Sequence, residues 1–214
     1  MPASRGRNGA PRGAQGRMTD DIAEDEPFAP FARWFALAVQ SEPLAEAMML
    51  ATATPDGIPS VRAVLLKGAD ASGFVFYTNL QSRKSDELYA NPRAALCLYW
   101  KSLARQIRVE GAVVPVSEDE ADAYFASRPR DSQIGAWASD QSQPLPDREV
   151  LERRFATFTR QFAEEGAVPR PAHWSGFRIQ PERIEFWQER PFRLHDRVLF
   201  TRDGNQWRQQ RLFP

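Results

Sequence analysis

The segment IEFWQERPFRLHDR, residues 184–197, concentrates aromatic, cationic and acidic side chains. Alternation along a strand predicts that Arg193, His195 and Arg197 share one face. Three such donors would repel one another on a bare surface, and a negatively charged or electron-rich planar ligand would relieve that repulsion. Trp187 could add a stacking surface for it. The alternative is an exposed polar face whose charge is balanced by neighbouring acids.

A second cluster lies in FVFYTNLQSRKSDEL, where a strand ends at Tyr77 and Thr78. Ser82 is predicted to cap the next helix, whose first turn carries Arg83 and Lys84. Cations are normally unfavourable there, because a helix N-terminus carries free N–H groups and positive dipole. The pair makes sense if an anion binds, and phosphate is the usual one. Alternatively, both are exposed bases that face nearby acids.

Two further groups could hold anions. Arg62 and Lys67 stand at the ends of RAVLLK, where they could contact anionic groups or be ordinary strand-end charges. In AYFASRPRDS, the i, i+4 spacing predicts that Tyr124 and Arg128 share one helical face, and Ser132 follows. Tyr, Arg and Ser can all donate hydrogen bonds to phosphate. Arg128 could instead satisfy the last carbonyls of its helix.

The rest of the chain predicts the scaffold. PFAPFARWFALAVQ has the apolar spacing of a core-facing helix, and SEDEADAYFASRP, SQIGAWAS and DREVLERRFATFTRQFAEE predict further helices. About eight strands are predicted, among them RQIRVEG, in which Ile107 and Val109 face one way and Gln106 and Arg108 the other. The closing strands are SGFRIQ, RIEFWQE, FRLHDRVLFTR and QWRQQRLF. Short turns between most strands favour a mainly β (α+β) antiparallel barrel with peripheral helices.

The domain organisation follows from composition. Residues 1–26 are rich in Gly, Pro, Ala and charge, which predicts a disordered tail, and residues 27–214 form a single domain. Lys plus Arg equals Asp plus Glu at 28 each, which argues against a nucleic-acid or membrane-surface binder. One cysteine, no signal segment and no apolar run of ~20 residues predict a cytoplasmic protein. Two histidines and one cysteine make a standard zinc site improbable, so no metal is predicted.

Together these segments resemble the pyridoxamine/pyridoxine 5′-phosphate oxidase family. The family signature has Glu, an aromatic residue and Trp, followed by Arg-x-His-x-Arg, and it stands here as IEFWQERPFRLHDR with its spacing intact. RAVLLKG, FVFYTNLQSRK, RQIRVEG, YFASRPRDSQIGAWAS and the terminal RLFP also match family segments in family order. The resemblance covers roughly residues 27–214.

The resemblance implies a split β-barrel of Greek-key type and a homodimer with FMN at the subunit interface. The positions that it assigns to FMN are Arg62, Val64, Leu65, Lys67, Tyr77, Thr78, Arg83, Lys84, Gln106, Gln141, Ser142, Trp187 and Arg197, with Gln141 and Ser142 coming from the partner chain. Those that it assigns to the substrate phosphate are Lys67, Tyr124, Arg128 and Ser132. Arg193 and His195 would face the substrate ring as the catalytic pair.

The implied reaction oxidises pyridoxamine or pyridoxine 5′-phosphate to pyridoxal 5′-phosphate, with O2 as acceptor and hydrogen peroxide as product. Another split-barrel flavoprotein, such as a flavin reductase, would keep the FMN residues without needing the substrate set. A carrier of flavin or pyridoxal phosphate, and an all-β interaction module, are the non-enzymatic alternatives.

Overall fold

The computed structural model describes residues 22, 25–163 and 166–214. The tail predicted over residues 1–26 therefore lies mostly outside the described residues. Ile22 is buried in the main core, and its carbonyl accepts a hydrogen bond from Gln209 Nε2 at 2.8 Å. This residue thus packs with the domain.

The described part of the chain contains five α-helices and nine strands, one strand more than the sequence predicts. In chain order they are α1 (Phe28–Ser41), β1 (Ala47–Ala53), β2 (Pro59–Leu65), β3 (Gly68–Asp70), β4 (Gly73–Asn79), α2 (Arg83–Ala90), β5 (Arg93–Trp100), β6 (Arg105–Pro115), α3 (Glu118–Ser127), α4 (Arg130–Ala138), α5 (Arg148–Gln161), β7 (Trp174–Gln188), β8 (Asp196–Asp203) and β9 (Gln206–Arg211). No helix among these residues has the length and hydrophobicity of a membrane span.

All nine strands belong to one antiparallel sheet in the order β2-β1-β5-β6-β7-β4-β3, and β8 pairs with β7 and β9. The sheet curls until β2 meets β4, which gives the predicted barrel. The predicted strands SGFRIQ and RIEFWQE are one strand, β7, and not two. Pro181 is tolerated inside it because β7 itself bulges there: Glu110 pairs with Arg183 and Gly111 with Pro181, which leaves Glu182 as the extra residue.

The main core lies between α1 and the concave face of the sheet. Phe31 packs edge-on against Phe74 with 5.0 Å between ring centroids, and Trp34 packs against Phe186 at 5.3 Å. The predicted core-facing helix is therefore confirmed. Helices α3 to α5 build a second, smaller core around the start of β7.

The prediction for FRLHDRVLFTR was wrong at its start. Pro191–Arg193 is a 3₁₀ turn, and β8 begins only at Asp196. Phe192 and Arg193 have φ values of 60° and 63°, a left-handed conformation that a strand cannot continue. Pro191 explains the interruption, since proline fixes its own φ and has no N–H for a sheet ladder. Alternation therefore does not place Arg193 and His195 on one strand face with Arg197.

Candidate active site

A cavity of about 650 Å³ opens between β2, β4 and the helices α3 and α4. Cavities of this size suit small-molecule ligands. Its lining brings together ten of the predicted site residues: Val64, Leu65, Lys67, Tyr77, Thr78, Lys84, Tyr124, Arg128, Ser132 and Gln141.

Lys84 is the most deeply buried cation of this cavity, with 8% of its surface exposed. Its Nζ donates to Gln141 Oε1 at 2.6 Å, Ser82 Oγ at 2.8 Å and Thr78 Oγ1 at 3.0 Å, all of which are neutral acceptors. Burial, and secondarily Arg62, lowers the pKa of Lys84 to about 8. Ser82 stands at the N-cap position, but its side chain does not cap the helix as predicted, because it accepts from Lys84. An anion would complete this site.

Arg62 and Arg83 lie beside Lys84 and share one buried carboxylate. Glu87 is 3.4 Å from Arg62 Nη2 and accepts from Arg83 Nε at 2.8 Å. Burial opposes its charge, but hydrogen bonds from Ser60, Thr52 and Arg83 lower the pKa of Glu87 to about 2. With Lys84, three cations and one carboxylate leave a net charge of about +2. That charge matches a phosphate monoester, which carries about −1.5 to −2 at neutral pH.

The second anion-binding candidate lies at the C-terminal end of α3. The helix ends at Ser127 and Arg128 is extended, so the predicted helical face shared by Tyr124 and Arg128 does not form. Both side chains nevertheless line the same cavity. Arg128 Nη1 is buried and has no hydrogen-bond partner in the described part of the chain, and burial lowers the pKa of this guanidinium. Lys67, the third cation of the cavity wall, lies 4.0 Å from Glu46.

A stack of three rings forms the floor between these two regions. Tyr77 lies 4.0 Å from Tyr124 and 5.4 Å from Trp174, with the planes within 13° and 3° of parallel. Burial raises the pKa of Tyr77 to about 12, and the nearby carboxylate of Glu120 acts in the same direction. Tyr77 therefore stays neutral at physiological pH.

Gly176 leaves the space that Tyr77 occupies. A Cβ at this position would lie 2.7 Å from Tyr77 Cδ1 and 2.8 Å from the carbonyl oxygen of Phe76. We expect Gly176→Ala to lower the free energy of unfolding by roughly 2 kcal/mol, because the clash includes rigid backbone. Urea denaturation measures this change in the free energy of unfolding. Gly135→Ala is the matched control: nothing lies within 4 Å of its Cβ and it is helical, so this variant should be unchanged or slightly stabilised. Equal effects at both positions would contradict the packing described.

The remaining predicted residues form a second group at the far end of β7. Trp187, Arg193 and His195 line a separate cavity of about 490 Å³ together with Tyr99 and Phe192. The His195 ring lies 4.7 Å from that of Trp187. The backbone N–H of Arg190 donates to His195 Nδ1 at 3.2 Å, so a neutral imidazole carries its proton on Nε2.

Arg197 is fixed by a buried acid. Its Nε donates to Glu185 Oε1 at 2.7 Å, and its Nη1 donates to the carbonyl of Phe213 at 2.9 Å. The bond to Glu185 raises the pKa of Arg197. Strand register places Gln106 and Arg197 on either side of Trp187, so all three belong to this second group.

The two groups do not meet within one chain. Trp174 lines the first cavity and Trp187 the second, and the thirteen-residue separation corresponds to roughly 40 Å along β7. Among the residues that the structure describes, none lines both cavities. A single ligand can contact both groups only if a second copy of the chain supplies one of them.

Gln141 lines the first cavity of its own chain. Gln141 Oε1 accepts from Thr78 and Lys84 of its own chain, because the loop after α4 folds back over the start of α2. Ser142 follows it with a φ of 72° and is not part of the cavity lining.

Sequence reasoning missed two residues of the site, Glu87 and Trp174. Glu87 is spaced i, i+4 from Arg83, a signal for an ion pair, but its bonds to β1 and β2 depend on tertiary structure. Trp174 gives no local signal of its contacts with α3, which precedes it by about fifty residues.

The fold and the first cavity define a split-barrel protein built to bind an anionic, planar ligand. Residues 38–162 match the family model described as pyridoxamine 5′-phosphate oxidase, and residues 174–214 match that of the pyridoxine 5′-phosphate oxidase C-terminal dimerisation region. The chain belongs to the pyridoxamine 5′-phosphate oxidase family.

Several relatives agree. The chain is 61% identical over 199 residues to a pyridoxine/pyridoxamine 5′-phosphate oxidase from Rhodospirillum rubrum, covering 90% of this chain and 98% of that one. It is 55% identical over 217 residues to the protein of that name from Maricaulis maris, covering 100% and 97%.

Among solved structures, PhzG from Burkholderia lata, crystallised with tetrahydrophenazine-1-carboxylic acid, has a TM-score of 0.87 and 35% identity, covering 94% of this chain and 98% of that one. A pyridoxamine 5′-phosphate oxidase-related, FMN-binding protein from Nostoc punctiforme has a TM-score of 0.72 and 18% identity over 88% and 98%, which supports the fold.

Proposed function

We propose that this chain is an FMN-dependent oxidase that converts pyridoxamine 5′-phosphate and pyridoxine 5′-phosphate to pyridoxal 5′-phosphate, with O2 as acceptor and hydrogen peroxide as product. The observation that carries the proposal is the presence of two separate cations in one cavity, the buried Lys84 and the half-buried Arg128, neither paired with a carboxylate among the described residues. The reaction brings together two phosphorylated aromatic molecules, and the cavity offers one cation to each.

The residues present fit the cofactor. The cluster of Arg62, Arg83 and Lys84 with Glu87 would hold the FMN phosphate, since its net charge is opposite to that of the phosphate. The further FMN contacts that we propose are Val64, Leu65, Lys67, Tyr77, Thr78, Gln141 and Ser142 in one chain and Gln106, Trp187 and Arg197 in the other. When bound, FMN supplies the two-electron acceptor and passes the electrons to O2.

The substrate phosphate would be held by Lys67, Tyr124, Arg128 and Ser132. Arg128 is suited to this role because its buried guanidinium has an unused donor. Charge-assisted hydrogen bonds contribute about 1.5–3 kcal/mol each, so a few of them are enough to fix the substrate.

Arg193 and His195 would orient the substrate ring and stabilise charge that develops on it. His195 offers its Nε2–H as a donor, because Nδ1 already accepts from Arg190. The positively charged Arg197, held by Glu185, would stabilise negative charge on the cofactor ring. None of these roles requires a covalent bond to the protein.

A homodimer would complete the site. Val61, Leu65, Met49 and Tyr99 are exposed on the outer faces of the neighbouring strands β2, β1 and β5, where they form an apolar surface. Leu65 borders the first cavity and Tyr99 the second. A second copy packed on this surface would therefore bring its second cavity against the first cavity of its partner. Trp187, Arg193 and His195 of the second cavity lie within residues 174–214, which match the dimerisation region.

The proposal is tested by the absorbance spectrum of the purified protein. We expect flavin bands that bleach on anaerobic addition of pyridoxamine 5′-phosphate and return, with hydrogen peroxide, when air is admitted. A coloured protein that neither bleaches nor produces peroxide would be a carrier and would contradict the proposal. A colourless protein that binds no added FMN would refute it entirely.

A further inference from the structure

Arg128, a half-buried cation, is held by ring faces and not by a carboxylate. No ion pair to it is found among the described residues, and its guanidinium lies over the Trp174 ring at 4.7 Å and the Phe125 ring at 5.6 Å. A ring face attracts a guanidinium without using any of its five N–H donors. A carboxylate in that place would occupy those donors and compete with an incoming anion.

Gln133 makes the hydrogen bonds to the end of α3 that Arg128 could otherwise make. Gln133 Nε2 donates to the carbonyls of Phe125 and Ala126 at 2.9 and 3.2 Å. These are carbonyls of the last turn of α3, which an arginine at this position commonly satisfies. Arg128 is thereby left free to turn toward the cavity.

Trp174 contacts both Tyr124 and Arg128, which do not share a helical face. Its ring is nearly parallel to that of Tyr124, with a 6.1 Å centroid separation and a 10° interplanar angle, and Arg128 lies over the same ring. The position of Trp174 is well fixed, because the residue is only 6% exposed and its backbone is bonded on both sides. Its backbone N–H donates to the carbonyl of Pro171, and its own carbonyl accepts from Arg170 Nη1.

We propose that Trp174 is a positioning residue for the substrate phosphate. Its ring holds Arg128 and Tyr124 together as one preformed anion-binding site. This inference rests on the proposed function and adds a residue that neither the signature motif nor the charged side chains indicate. It predicts a larger defect in binding of the substrate phosphate than of FMN. The contacts proposed for the FMN phosphate, at Arg62, Arg83 and Lys84, do not involve Trp174, and of the other proposed FMN contacts Tyr77 stacks on it.

The test compares Trp174→Leu with Trp137→Leu in FMN-loaded protein. Trp137 is the matched control, because it belongs to the same small core but packs on Phe158 and Phe162 and does not line the cavity. For Trp174→Leu we expect the KM for pyridoxamine 5′-phosphate and the inhibition constant of inorganic phosphate both to rise about 10-fold. The kcat and the affinity for FMN should change by less than about twofold, and Trp174→Phe, which keeps a ring, should lie in between.

Unchanged KM and phosphate inhibition in Trp174→Leu would overturn the inference. The inference would also be overturned if the Trp174 and Trp137 variants showed the same fall in kcat, the same rise in KM and the same fall in FMN affinity. Such a result would indicate a merely structural role. If Trp174→Leu does not fold, Trp174→Phe decides by the same criteria with a smaller expected shift. Wild-type protein that does not oxidise pyridoxamine 5′-phosphate would refute the proposed function instead. The affinity of these variants for inorganic phosphate would then still test the role of Trp174 in anion binding.

Discussion

Replacing Arg193 with alanine should lower kcat for pyridoxamine 5′-phosphate by about 100- to 1000-fold while FMN stays bound. Arg193 lines the second cavity beside His195 and Trp187, where it would stabilise charge on the reacting substrate. Removing one preorganised donor of this kind typically costs about that factor. Steady-state turnover and the flavin absorbance of the same sample measure both parts of the expectation.

The backbone at Arg193 makes the variant informative. Its φ of 63° is strained for any residue with a Cβ, so alanine keeps the strain and changes chiefly the side chain. Arg202→Ala, an exposed arginine near the other end of β8, serves as the control and should keep wild-type turnover. Full activity in Arg193→Ala would remove Arg193 from the mechanism.

The second large effect is expected at Lys84. Lys84→Met should weaken FMN binding on the order of 100-fold, because the phosphate loses a buried charge-assisted bond. Fluorescence titration of the FMN-free protein gives the affinity. Lys101→Met, which removes an exposed lysine, should bind FMN as the wild type does. Equal affinities in the Lys84 and Lys101 variants would exclude Lys84 from the phosphate site.

The pKa of Lys84 also predicts how FMN affinity depends on pH. Without a ligand this pKa is about 8, and a bound phosphate raises it because an anion favours the ammonium form. Affinity should therefore be full below pH 8 and fall by up to about tenfold per pH unit above it, until the pKa of the bound state is reached. Lys84→Met should lack this slope. A wild-type affinity that is flat from pH 7 to 10 would contradict the assignment.

Local patterns predicted the parts of the site that lie within single elements. The sequence predicts a strand that ends near Tyr77 and Thr78 and a helix that begins with Arg83 and Lys84, because the hydrophobic pattern changes at a polar segment between them. Both elements lie where the sequence predicts them. The alternation of Gln106 and Ile107 in β6 is also confirmed, since Ile107 is fully buried.

The errors have two physical causes. Alternation cannot detect a left-handed backbone, so it wrongly predicts a strand through Phe192 and Arg193. Contacts between distant elements leave no local pattern, so Trp174 and Glu87 were missed although both contact predicted site residues. Sequence also cannot say which copy of a chain supplies a residue.

We expect one active site to be assembled from the first cavity of one chain and the second cavity of another. The most direct test of this assembly mixes Lys84→Met and Arg193→Ala chains by co-expression or refolding and measures turnover at an FMN concentration that saturates only the wild-type protein. Random pairing gives half of the dimers one intact site, so the mixture should recover about a quarter of wild-type turnover per chain, although each variant alone is nearly inactive. A mixture no more active than the mean of its two components would show that each chain carries its own complete site, and the account would be wrong.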